Sequence, residues 1–113
     1  MAVKSTALSS VMGLVELSGT MISETEVMEF RRAINGFMDK HFSRLIIDLS
    51  GVTYMNSITI GVLVSAHTSY TRRKWQLRIC GINRNVAVIF AITKVGQVLN
   101  VCDTRDEALK SFV

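Results

Sequence analysis

The chain has 113 residues, 49% of them hydrophobic and 19% charged, which fits one globular domain over 1–113 with its own core. Thirteen Lys and Arg against nine Asp and Glu leave a mild net charge of +4; with no Pro and no block of like charge, a proline-rich ligand segment and a low-complexity tail are excluded. The longest strongly apolar window, residues 58–66, is too short to span a bilayer, and residues 1–6 lack a signal-peptide core, so a complete cytoplasmic protein without membrane insertion is expected.

Residues 2–8 and 13–17 alternate as strands do and are expected to form a hairpin, closed by Gly19. Ser23 and Glu26 stand at capping-box spacing. Behind them Val27, Phe30, Ala33, Ile34, Phe37 and Met38 recur with helical period, predicting an amphipathic helix that ends near His41. Residues 44–49, Arg-Leu-Ile-Ile-Asp-Leu, read as a strand covered on both faces. A polar, hydroxyl-bearing loop follows over 50–56, and Ser57 opens a second helix running to about Arg73. Residues 75–80 form the next strand, stopped by Gly81. Asn83 caps a third helix through Thr93, with Gly96 just past its end. Residues 98–102 are the last strand, and Thr104 with Glu107 begins a terminal helix. Alternation of helix and strand after the hairpin argues for an α/β fold: a four- to five-stranded mixed, mostly parallel sheet with four helices. Leu45, Ile46, Ile47, Leu49, Val62, Leu63, Leu77, Ile79, Ile89, Phe90 and Val101 are the expected core.

Catalytic constellations are missing from this pattern. His41 and His67 lie on predicted helices, facing solvent, without a Cys or carboxylate at ligand spacing. The seven glycines are scattered singly, so no phosphate-cradling loop forms. Cys80 and Cys102 sit in apolar stretches and read as buried free thiols of a reducing compartment. Met21, Met28, Met38 and Met55 fit core filling. Arg72, Arg73 and Lys74 fall at a helix C-terminus, where cations suit the macrodipole. The chain is expected to be no enzyme and to need no cofactor or metal. A nucleic-acid-binding domain would rest on the net charge alone.

One segment differs: a buried strand runs into a hydroxyl-rich loop that delivers Ser57 to a helix start, where free amides and the positive end of the macrodipole meet. A serine there can simply cap the helix; it can also carry a phosphate. The residues Asp48-Leu-Ser, Val52, Tyr54-Met55, Asn56-Ser57 and Gly61 resemble the signature of the stand-alone STAS domains, the bacterial anti-sigma factor antagonists. Leu17-Ser-Gly19 and the run from Ile92 to Ala108 are similar to the family's early and closing segments. The resemblance implies a small sheet with helices on one side.

It also implies partner switching. The antagonist binds an anti-sigma factor that is a serine kinase of the GHKL ATPase type and so frees a sigma factor. Phosphorylation, here expected at Ser57 and alternatively at Thr59, releases it, and a metal-dependent phosphatase restores it. Gly51, Thr53, Tyr54, Asn56, Ser57, Ile58 and Thr59 would then face the partner, on a monomer or weak dimer with no direct nucleic-acid contact. Where the family carries Asp, a small residue and Gly around the acceptor, this chain carries Asn56, Ile58 and Thr59. A constitutive STAS subunit of a membrane transport assembly, such as a lipid ABC transporter, would need no phosphorylation and is the alternative.

Overall fold

A computed structural model describes residues 3–112. The hairpin forms from β1 (Val3–Ala7) and β2 (Met12–Gly19), paired antiparallel from Val3 opposite Leu17 to Ala7 opposite Gly13. Its turn closes on Ser9, whose hydroxyl oxygen accepts from the amides of Val11 (3.2 Å) and Met12 (3.0 Å). Residue 2, expected in the first strand, lies outside the described residues. Helix α1 (Glu24–Asp39) starts at the anticipated capping box: Ser23 Oγ accepts from Glu26 N at 3.2 Å and Glu26 Oε1 accepts from Ser23 N at 3.3 Å. It stops before His41, which has φ 60° and stands outside the helix expected to hold it.

Strand β3 (Arg44–Val52) runs three residues beyond its expected end, because Gly51 and Val52 keep pairing with Ser18 and Gly19 of β2. Then follow α2 (Ser57–Arg72), β4 (Gln76–Cys80), α3 (Arg84–Thr93), a 3-10 turn (Val95–Gln97), β5 (Val101–Cys102) and α4 (Arg105–Ser111). Among the described residues the sheet has five strands in the order β1-β2-β3-β4-β5, antiparallel at β1/β2 and parallel elsewhere. The last strand is much shorter than residues 98–102 predicted. The turn at 95–97 leaves Val98 in solvent and tucks Leu99 into the core, so pairing begins only where Ile79 N donates to Asn100 O (2.9 Å).

Alternating strand side chains divide the core in two. Val15, Leu17, Leu45, Ile47, Leu49, Leu77 and Ile79 face α1, α2 and α3, meeting Phe30, Ile34, Leu63, Tyr70, Val86 and Phe90. The other face presents Leu14, Ile46 and Cys80, covered by Ala108 of α4. Helices thus lie on both sides of the sheet: the fourth crosses to the face that the family resemblance left bare. Most of the expected core is fully buried. Ile89 and Val101, however, are only partly so; Val101 lies on the edge strand β5. Cys102 is half-buried for the same reason. Met21 and Met55 fill the core, Met38 packs against its margin, and Met28 stands half in solvent.

Candidate functional site

Because β2, β3 and β4 are parallel, the connections leaving them cluster at one end of the sheet, the usual place for sites in such folds. The loop of residues 53–56 is held from both sides. Thr53 N donates to Gly19 O (2.9 Å), and Met55, 1% exposed, is sunk into the core. Asn56 is extended and caps α2, its Oδ1 accepting from Thr59 N at 3.1 Å while Ile60 N donates to Asn56 O at 3.1 Å. The cap is therefore Asn56, and Ser57 is the first helical residue, its side chain exposed. Capping and an accessible hydroxyl fall on neighbouring residues.

Thr59 behaves differently from the expectation that it is an acceptor or contact residue. It is fully buried, and its Oγ1 donates to Met21 O at 2.6 Å. Two positions along a helix rotate a side chain by about 200°, so with Ser57 outward Thr59 faces inward, against the β2–α1 connection. Gly51, Thr53, Tyr54, Ser57 and Ile58 are exposed and Asn56 half-buried. Tyr54 and Ile58 are the large apolar members, 51% and 58% exposed. Ile22, beside the Met21 carbonyl that Thr59 holds, adds a third at 51%. Its exposure runs against its place in the sequence, since a residue just before a capping box normally staples onto the helix and is covered.

Two further residues support the loop. Asn83 caps α3 through Oδ1, which accepts from Val86 N (3.0 Å), and its Nδ2 donates to Val52 O at the end of β3. On the α4 side, Asp48 is 5% exposed and takes Arg105 on Oδ2, with Nη2 at 2.8 Å and Nε at 3.1 Å. Arg105 Nη2 also reaches Glu16 Oε2 at 2.9 Å. Asp48 Oδ1 accepts from Ser50 N at 2.9 Å. Burial alone would raise the Asp48 pKa; the hydrogen bonds from Ser50 and Arg105 outweigh it and hold the carboxyl below its ordinary value. Gly81, with φ +72°, passes this carboxylate so closely that a Cβ would lie 2.7 Å from Oδ1. Burial, aided by the Asp48 charge, pushes the Cys80 thiol up to about 12, far from a nucleophile's range.

The loop thus offers an accessible hydroxyl at the positive end of a helix, flanked by exposed apolar side chains and backed by a fixed frame. That is a surface for binding. Among the described residues no helix is long and apolar enough to cross a membrane.

The family model described as STAS domain matches residues 4–108. Over 77 residues the chain is 29% identical to the anti-sigma-B factor antagonist of Listeria monocytogenes, covering 68% of each. In structure it is similar to the anti-sigma factor antagonist SpoIIAA in its unphosphorylated form (TM-score 0.76, 14% identity, 96% of each chain). The phosphorylated form of the Bacillus protein superposes at 0.75, with 14% identity over 96% of this chain and 97% of that one. Murine Slc26a9, an anion transporter, matches with a TM-score of 0.73 and 18% identity over 90% of this chain and 18% of its own.

Proposed function

The chain belongs to the STAS domain family, and from that premise we propose that it is an anti-sigma factor antagonist switched by phosphorylation of Ser57. Its partner is an anti-sigma factor of the GHKL serine kinase type, bound through Gly51, Thr53, Tyr54, Asn56, Ser57 and Ile58. The observation that carries this reading is the split of the loop's hydroxyls. Ser57 is exposed on the first helical residue between Tyr54 and Ile58, while Thr59 is buried and engaged. A kinase approaching this end of the sheet meets the Ser57 hydroxyl and is denied that of Thr59.

The energetics suit a switch in binding and leave the fold alone. A phosphate on Ser57 sits beside the amides that precede the first intrahelical bond, an environment that stabilises an anion by roughly 0.3–1 kcal/mol. Nearly two negative charges pressed into the contact made by Tyr54 and Ile58 lose water without compensation. A hundredfold change in affinity requires about 2.7 kcal/mol, and desolvating such a group against an apolar surface exceeds the stabilisation the helix returns.

Wild type, Ser57→Ala and Ser57→Asp should be used to capture partners from the native host and then titrated against the anti-sigma factor recovered. Ser57→Asp should melt within a few degrees of wild type and lose about two decades of affinity; Ser57→Ala should bind and resist switching. Binding by Ser57→Asp as tight as that of wild type would end the phospho-switch reading. The constitutive transport-subunit reading, favoured by Asn56, Ile58 and Thr59 in place of the family residues, would then take its place.

A further inference from the structure

The three connections that enter β2, β3 and β4 lie side by side at the end of the sheet away from Ser57: residues 8–11, 40–43 and 73–75. Hydrogen bonds join them. Arg44 N donates to Val11 O (3.0 Å), Gln76 N to Ser43 O (2.9 Å), and Tyr70 Oη to Phe42 O (2.9 Å). Neighbouring strands are about 4.8 Å apart, so the three backbones form one nearly level strip.

Charge is segregated along the molecule. Lys40, Arg72, Arg73 and Lys74 are all exposed on this strip, with Asp39 as the acid of the adjoining helical turn. Glu24, Glu26, Asp106 and Glu107 stand instead in the first turns of α1 and α4, at the Ser57 end, where they outnumber Arg84 and Arg105 of the α3 and α4 starts. Cations at a helix C-terminus are explained in part by the macrodipole. A helix end carries only about half a charge, so the ends of α1 and α2 together with Asp39 offset about two of the four positive charges. A positive pole remains.

Apolar groups share it. Leu8 and Val11, at the hairpin tip, are each 42% exposed. Trp75 is half-buried, with the Arg73 guanidinium 5.5 Å over its ring and Tyr70 and His41 packed edgewise at 5.5 and 6.0 Å. One face of that indole is thus already taken and its edges are crowded, which disfavours base stacking, the usual use of an aromatic in a single-stranded nucleic-acid site. A level array of Lys and Arg beside an aliphatic tip matches instead the headgroup region of a charged membrane.

We propose that this pole docks the protein on the surface of an anionic phospholipid bilayer, with Lys40, Arg72, Arg73 and Lys74 among the headgroups and Leu8 and Val11 at the acyl boundary. Docked in this way, the protein holds the Ser57 loop away from the membrane. The inference is independent of what that loop binds.

Co-sedimentation of the full chain with vesicles tests it. Phosphatidylglycerol–phosphatidylcholine vesicles should bind the protein at low salt and release it at high salt, and pure phosphatidylcholine should not bind. Each Lys or Arg near such a surface contributes roughly a factor of five, so Arg72→Gln/Lys74→Gln should partition about twenty-five-fold more weakly. Leu8→Ser/Val11→Ser should also weaken binding, with the salt dependence retained. Circular dichroism melts establish that both variants fold. The proposal is overturned if phosphatidylglycerol confers no binding, if the Gln variant binds like wild type, or if a mixed-sequence single-stranded oligonucleotide binds more tightly than vesicles of equal phosphate content.

Discussion

Replacing Arg105 by Met should expose how much of the fold depends on one cation. The substitution keeps most of the apolar stem and removes the guanidinium that bonds Asp48 at 2.8 and 3.1 Å and Glu16 at 2.9 Å. The Glu16 contact joins two side chains 41% and 34% exposed, so solvent screens it and its loss costs little. Asp48 is the sensitive partner, because its side chain is only 7% exposed and keeps Ser50 as a donor. A hydrogen bond to a buried charge contributes about 1.5–3 kcal/mol. Discounted for the half-exposed Arg105, the variant should lose about 2 kcal/mol at pH 7 from a total of roughly 5–15, or about 8 °C in Tm.

The pH dependence identifies the cause. In the wild type the folded Asp48 pKa lies below its unfolded value near 3.8, so its stabilisation is full above that value and fades as pH falls through the folded pKa. Without Arg105 part of that lowering is lost and the folded pKa moves up from its wild-type position. The penalty is absent where the carboxyl is protonated in both proteins and grows as pH rises through their folded pKa values. Urea denaturation at pH 7 and at about pH 3 should therefore show the deficit shrinking in acid, and adding Asp48→Asn should recover part of it at pH 7. A deficit that is below about 0.5 kcal/mol, or that does not change with pH, would refute this account of the cluster.

Ile47→Ala, which empties a fully buried site on the central strand, should cost about 2–5 kcal/mol by denaturant melts; near-wild-type unfolding would contradict the core assignment. Thr59→Val should cost about 1–2 kcal/mol by leaving the buried Met21 carbonyl without its donor, and a neutral result would mean water replaces that bond. A bulky thiol reagent at pH 8 should label half-buried Cys102 well before buried Cys80, and mass mapping that finds equal rates would show that α4 does not cover β4.

Legibility followed the range of the interactions. Ser23, Asn83 and Thr104 announced their helices because a cap and its amide lie within three residues. The strand of Leu45, Ile46 and Ile47 announced itself by being apolar on both faces, and the exposed loop carrying Ser57 by its position between two strong patterns. What stayed hidden joins distant residues. An acid inside that strand needs a cation, but Arg105 comes 57 residues later in a helix whose own sequence shows only a capping box. Thr59 looked available because its acceptor, Met21, precedes it by 38 residues. The shortened β5 and the half-buried Val101 reflect an edge, and edges are set by where the chain runs out of neighbours rather than by local pattern.

The ties from Thr53 to Gly19, from Thr59 to Met21 and from Asn83 to Val52 bear on the thermodynamics of recognition. Fixing a residue's backbone costs roughly 1–2 kcal/mol, so ordering a floppy loop of this length at the moment of encounter would subtract several kcal/mol from any affinity. Here that entropy is lost during folding, and the partner meets a preorganised surface. Association should accordingly be fast and nearly rigid-body, and loosening one of these ties by mutation should slow capture of the partner even where the contact residues themselves are unchanged.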